Sequence, residues 1–291
     1  MYQQFLNLIK YLAWTALFFT PTLFAADEPK GEVELVYVEW TTEVASTNVV
    51  KVVLENQGYE VKITPVSAAA MWQAVGSGDA DGMVAGWLPT LHAHYLKAMK
   101  DKVEDLGPNL KGTKSGLVVP AYVTIDSIED LSKNAEKFGG KIIGIDPGAG
   151  IMSTTEKVLE KYNLDDTFDL IEGSDATMIA MLADAIKNEK WIVVTGWTPH
   201  WKFSRWELKY LQDPKNVYGG EEEIRTVVRK GLKEEKPEVY AILDNFSWTI
   251  KDVNELMVWN RSDGTLKSDP YQNAKRWVNE HQEKVAQWLP N

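Results

Sequence analysis

Two stretches of this chain end in the same short pattern: Val84-Ala85-Gly86-Trp87-Leu88-Pro89, with His92 close behind, and Val194-Thr195-Gly196-Trp197-Thr198-Pro199, with His200 next. Each pattern closes an apolar run rich in β-branched residues. Each therefore reads as a buried strand that stops at Gly and presents a Trp, a Pro turn and an imidazole at its carboxyl end. Those ends are where α/β sheets hold ligands. A chain with two of them is expected to form two similar lobes that each offer an indole to one shared cleft.

The order of elements supports this. Glu32–Trp40 reads as a strand, Thr41–Gln57 as a helix stopped by Gly58, Tyr59–Val66 as a strand, Ala69–Val75 as a helix and Gly82–Ala85 as a strand. The second half repeats that grammar: strand Lys141–Ile145, turn Asp146-Pro147-Gly148-Ala149-Gly150, helix Ile151–Tyr162, strand Phe168–Ile171, helix Ala176–Lys187 and strand Trp191–Thr195. Alternation of this kind predicts a mostly parallel sheet flanked by helices in each lobe. Lys114–Tyr122 and Ile224–Lys230 read as two extended crossovers, hence a two-segment hinge. The expected division is 31–118 plus 222–291 for the first lobe and 119–221 for the second, with the helical last sixty residues packed back on the first.

The first 26 residues carry one charge, Lys10, then an apolar stretch broken by Pro21 and ending Leu23-Phe24-Ala25-Ala26. That is the form of a secretory leader, expected to span 1–25, and the apolar stretch is short for a membrane span. The chain has no Cys, which excludes disulfides, thiolate metal sites, a Cys nucleophile and a lipid anchor on an N-terminal Cys. The formal net charge of −11 argues against nucleic acid or anionic lipid as partner. A monomer diffusing freely in a periplasm, without membrane insertion of the mature chain, is the expected state.

Of the twelve tryptophans, Trp14 lies in the leader. Trp72, Trp191, Trp206, Trp248, Trp259, Trp277 and Trp288 are expected to serve packing. Trp40, Trp87 and Trp197 fall at predicted strand ends, over the cleft, and Trp201 is a fourth candidate for the same face. Three converging indoles suit a quaternary ammonium, which has no N–H for a carboxylate to accept but has polarised methyl groups that can face the rings. At about 1–2 kcal/mol per desolvated contact, three rings supply about 3–6 kcal/mol. Micromolar affinity requires about 8 kcal/mol. A second anchor is therefore expected at the Gly-rich turn before Ile151, where helix N–H groups face an anion. The lack of Lys or Arg there favours a carboxylate over a phosphate. His92 or His200 could donate to that carboxylate.

Other chemistry is less well supported. His92, His94 and Glu39 lack the remaining shell of a metal site, and no Gly-x-Ser-x-Gly elbow is present. No cofactor is called for. Acidic pairs such as Glu39 and Asp81, with tryptophans able to stack on sugars, leave an exported carbohydrate-active enzyme open.

The segments Trp87-Leu88-Pro89 to His92, Gly107-Pro108-Asn109-Leu110, Gly144 to Ile151, and Gly196-Trp197-Thr198-Pro199-His200-Trp201 with Leu208-Lys209-Tyr210-Leu211 and Asp213-Pro214-Lys215 resemble the glycine betaine-binding proteins of osmoprotectant ABC transporters. The resemblance runs from about Glu32 to Leu289. It implies the two-lobed type II periplasmic binding-protein fold and no catalysis. It also implies betaine held by Trp40, Trp87 and Trp197, its carboxylate bound by the amides of Gly150 and Ile151 and by His92, and His200 as a further cleft residue. An ABC permease is the implied partner. Choline or carnitine is the alternative ligand.

Overall fold

The computed structural model describes residues 29–261 and 268–290. The expected leader lies outside them. The strands are β1 (Glu32–Tyr37), β2 (Glu60–Pro65), β3 (Gly82–Leu88), β4 (Val103–Pro120), β5 (Lys141–Ile143), β6 (Asp169–Ile171), β7 (Val193–Thr198), β8 (Leu208–Tyr210) and β9 (Glu222–Arg229). The helices are α1 (Thr41–Asn56), α2 (Ala68–Ser77), α3 (Ala93–Met99), α4 (Gly150–Tyr162), α5 (Asp175–Lys187), α6 (Lys202–Arg205), α7 (Leu232–Glu235), α8 (Pro237–Asn245), α9 (Ile250–Asn260), α10 (Pro270–Glu280) and α11 (Gln282–Val285).

The strands join in the order β2-β1-β3-β9-β4-β7-β5-β6, with β8 on β4. Two parallel groups, β2-β1-β3 and β7-β5-β6, stand at the ends of this path. Between them β9 and β4 run antiparallel to their neighbours. The long strand β4 serves both halves: Val103–Thr113 pairs with β9, and Lys114–Val118 pairs with β7. Most of the expected crossover at Lys114–Tyr122, up to Pro120, is thus the end of one strand. Ile224–Arg229 of the other expected crossover likewise lies within β9.

The repeated pattern behaves differently from expectation in one respect. Gly86-Trp87-Leu88 and Gly196-Trp197-Thr198 remain inside β3 and β7, because ladders with β9 and β4 continue past each glycine. Each tryptophan is therefore held by backbone hydrogen bonds rather than by the turn after it. Both copies then enter a cis X–Pro bond, Leu88–Pro89 and Thr198–Pro199. Trp40 follows β1 directly and is the N-cap of α1. The C-terminal helices return to the first half, where Tyr271 of α10 donates to Glu55 of α1.

Candidate functional site

Trp40, Trp87, Leu91, His92, Ile145, Ala149, Gly150, Ile151 and Trp197 line one cavity with about 290 Å³ of empty space. Six of the seven residues expected at the site therefore meet there. The three indoles are almost wholly withdrawn from solvent, at 3 to 5% exposure. No carboxylate, lysine or arginine side chain lines the cavity. A cation inside would face mostly aromatic and aliphatic surface, with the start of α4 and the His92 ring as the polar part of the lining.

The backbone N–H groups of the lining come from α4. The first N–H groups of a helix have no partner within it, and the N-cap Ala149 has no side chain with which to satisfy them. Gly150 is required here sterically. A Cβ on it would fall 2.2 Å from the Leu91 carbonyl oxygen, so only glycine lets the start of α4 close against the loop after β3.

His92 completes that polar part, and its tautomer follows from its neighbours. Its Nδ1 accepts from the Trp87 backbone N–H at 3.1 Å and from Trp72 Nε1 at 3.3 Å. The proton must then reside on Nε2, which makes the ring a donor. Burial pushes this imidazole down to about 3, so it is neutral at ordinary pH. Trp72, expected only to pack, thus fixes the orientation of a cavity residue.

Each of two cavity indoles donates to a carboxylate behind it. Trp87 Nε1 reaches Glu43 Oε1 at 2.8 Å, and Trp40 Nε1 reaches Asp146 Oδ2 at 2.9 Å. The second bond links the start of α1 to the turn after β5, hence one half of the sheet to the other. Thr41 N to Asp175 Oδ2 at 3.4 Å and Tyr95 Oη to the Gly148 carbonyl at 2.8 Å cross the same gap. Neither carboxylate was visible as a site residue in the sequence: Glu43 looks like an acid in a helix's first turn, and Asp146 like an ordinary turn former.

His200 is placed elsewhere. It does not line the cavity; its Nδ1 accepts from Lys202 N at 3.0 Å and its Nε2 bonds Asp175 Oδ1 at 3.0 Å. Both nitrogens are thereby occupied, and the ring supports Trp197 edge-on at 4.9 Å. Burial, with Lys202 nearby, lowers this imidazole to about 4. Burial alone would raise the Asp175 carboxyl, but His200 and Lys202 hold it below its ordinary value. Trp201 also stays off the cavity and packs on Trp206. Among the described residues no group of His, Cys, Asp or Glu is disposed to hold a metal ion, and no helix is long and apolar enough to cross a membrane.

Residues 31–280 match the family model for the substrate binding domain of ABC-type glycine betaine transport systems. The chain belongs to this family. Within it, the chain is 48% identical over 164 residues to the glycine betaine/carnitine transport binding protein GbuC of Listeria monocytogenes; the match covers 56% of this chain and 52%, about half, of that protein. Lactococcal OpuAC in its closed-liganded conformation complexed with glycine betaine superposes with a TM-score of 0.83 at 46% identity, covering 89% of this chain and all of that one. An ABC-transporter choline binding protein in complex with choline reaches a TM-score of 0.82 at 29% identity, covering 88% of this chain and 91% of that one. This glycine betaine transport family member thus shares the two-lobed binding-protein fold of those structures.

Proposed function

We propose that this chain captures glycine betaine, or the related proline betaine, between its two lobes and hands it to an ABC permease for osmoprotectant uptake, with no catalysis of its own. The observation that carries this reading is the polarity of one cavity. Trp40, Trp87 and Trp197 line it together with the start of α4 at Gly150 and Ile151 and with His92. In this reading the three rings take the trimethylammonium group by cation–π contact. The amides and His92 Nε2 take the carboxylate. His200 acts only by supporting Trp197.

The expected lobes are 31–118 plus 222–291 and 119–221; β4 passes from β9 to β7 between Thr113 and Lys114, which moves the first boundary to that point, so that Lys114–Val118 goes with the second lobe. Lobe closure around the ligand is supported by the Trp40–Asp146 and Thr41–Asp175 bonds. Export to the periplasm by the leader fits the sequence pattern of residues 1–25.

Choline is a second reading, favoured by the similarity to a choline-binding structure. Choline has no carboxylate to engage the amides and His92. Calorimetric titration with glycine betaine, proline betaine, carnitine and choline tests both. Tight binding of betaine with much weaker choline binding is expected; choline equal to betaine would overturn the carboxylate anchor, and no heat with any of the four would overturn the reading altogether.

A further inference from the structure

We propose that Glu43 is a positioning residue for specificity, which acts through the Trp87 indole to make the cavity select a permanent cation over an uncharged group of the same shape. The inference rests on the betaine reading above. Glu43 occupies the first turn of α1 and is fully buried. One carboxylate oxygen accepts from Trp87 Nε1 at 2.8 Å and the other from the Thr42 hydroxyl. No cation pairs with it in a salt bridge among the described residues, so its charge is not neutralised locally. An anion one indole away from the cavity acts in two ways. Accepting the N–H bond pushes electron density into the ring and makes its face more negative. The carboxylate's own field also crosses a medium of low dielectric constant, where a unit charge matters far more than in water.

The opposite wall makes the asymmetry plain. The ammonium of Lys202, itself wholly buried, lies 4.3 Å from the centre of the Trp197 ring, and Trp197 Nε1 has no partner among the described residues. Of the two indoles of the repeated pattern, Trp87 is thus backed by an anion and Trp197 by a cation, while Trp40 bonds Asp146. Trimethylammonium and tert-butyl groups have nearly the same shape and differ in charge. A cavity of apolar rings alone would distinguish them weakly; one backed by Glu43 distinguishes them by its field.

Other titratable groups around Glu43 are Asp175, which faces it from α5, with His200 and Lys202 beside Asp175, and His92, bonded to the Trp87 backbone. Burial, with a smaller push from Asp175, raises the Glu43 carboxyl to about 7. Its charge therefore changes near neutrality, whereas burial keeps His92 and His200 neutral there.

The test compares glycine betaine with its carbon isostere 3,3-dimethylbutyrate, which keeps the carboxylate and replaces the cation. Glu43→Gln retains an acceptor for Trp87 and removes the charge. In the variant, betaine affinity should fall about 5- to 30-fold while the isostere holds or improves. In the wild type the betaine-to-isostere ratio should rise from pH 5.5 to 7, as Glu43 ionises and below the value of about 8 to which burial lowers Lys202, and in the variant it should stay flat over that range. The pH series needs no variant, so it stands even if Glu43→Gln folds poorly. Equal losses for both ligands, or a ratio indifferent to pH in the wild type, would refute the role of Glu43. A wild type that binds no betaine would overturn the functional reading, and this inference with it.

Discussion

Replacing His92 by alanine tests the carboxylate anchor of the cavity. With Nδ1 occupied by Trp72 and Trp87, the ring has one function left, donation from Nε2. A hydrogen bond to a charged group contributes about 1.5–3 kcal/mol. Its loss should weaken glycine betaine about 10- to 150-fold. Choline, which has the cation but no carboxylate, should change less than about threefold, so the gap between the two ligands narrows. The removed side chain leaves room for water, which can re-satisfy Trp72 Nε1 and the Trp87 amide. The variant should therefore fold, which near-ultraviolet circular dichroism checks before calorimetry. The same geometry predicts a wild-type betaine-to-choline ratio that is constant from pH 5.5 to 8. Both ligands carry the same cation and feel Glu43 alike, while the His92 imidazole, held at about 3, does not titrate in that range. Equal losses for choline and betaine, or a ratio that breaks near pH 6.5, would refute the donor assignment.

Trp40 and Asp146 should act as one unit across the two halves: Asp146→Ala and Trp40→Phe each weaken betaine about tenfold, a charge-assisted bond of ~1.4 kcal/mol or more, and the double variant is no worse than roughly the poorer single. Additive losses in calorimetry would show that the bond is not shared. Stability without ligand should be lower at pH 5 than at pH 7. His92 and His200 have folded values near 3 and 4, below the ordinary 6.5, so their contribution is complete above 6.5 and is lost as pH falls toward those values. Glu43, raised to about 7, works in the opposite sense and gains as pH falls from 7 toward 4.5; two imidazoles outweigh it, and a melting temperature that rises on acidification would contradict this. Trp87→Ala should cost more betaine affinity than Trp197→Ala, which is expected to lose about 5- to 30-fold, because the anion stands behind Trp87 and the cation beside Trp197; the reverse order in titrations would refute the asymmetry.

What the sequence made legible was position along strands. An apolar run, a glycine and a tryptophan suffice to put an indole near a sheet's carboxyl end, and Trp87 and Trp197, which follow that pattern, meet at one cavity with Trp40, which follows β1 without the glycine. Gly150 and Ile151 were legible for a similar reason, since a Gly-rich turn before a helix leaves backbone N–H groups facing outward whatever the surrounding side chains are. The continuous sheet was not legible, because β4 changes partner midway and its one local mark, Gly112 with a φ of 78° just before the change, reads in the sequence like any turn glycine. Nor were the partners of the side chains. His92 and His200 follow the same pattern, yet one turns Nε2 toward the cavity and the other spends both nitrogens on Lys202 and Asp175. The difference lies in what packs beneath each: Trp72 from α2 under the first, Asp175 from α5 under the second. The same holds for charge. The repeat places a ring on each wall, but Glu43 and Lys202 lie outside any repeat, one before the first copy and one after the second. A matched pair of indoles thus becomes an electrostatically unequal pair. In the functional reading, the wall backed by Glu43 holds the cation and the wall beside Lys202 completes its burial when the lobes close.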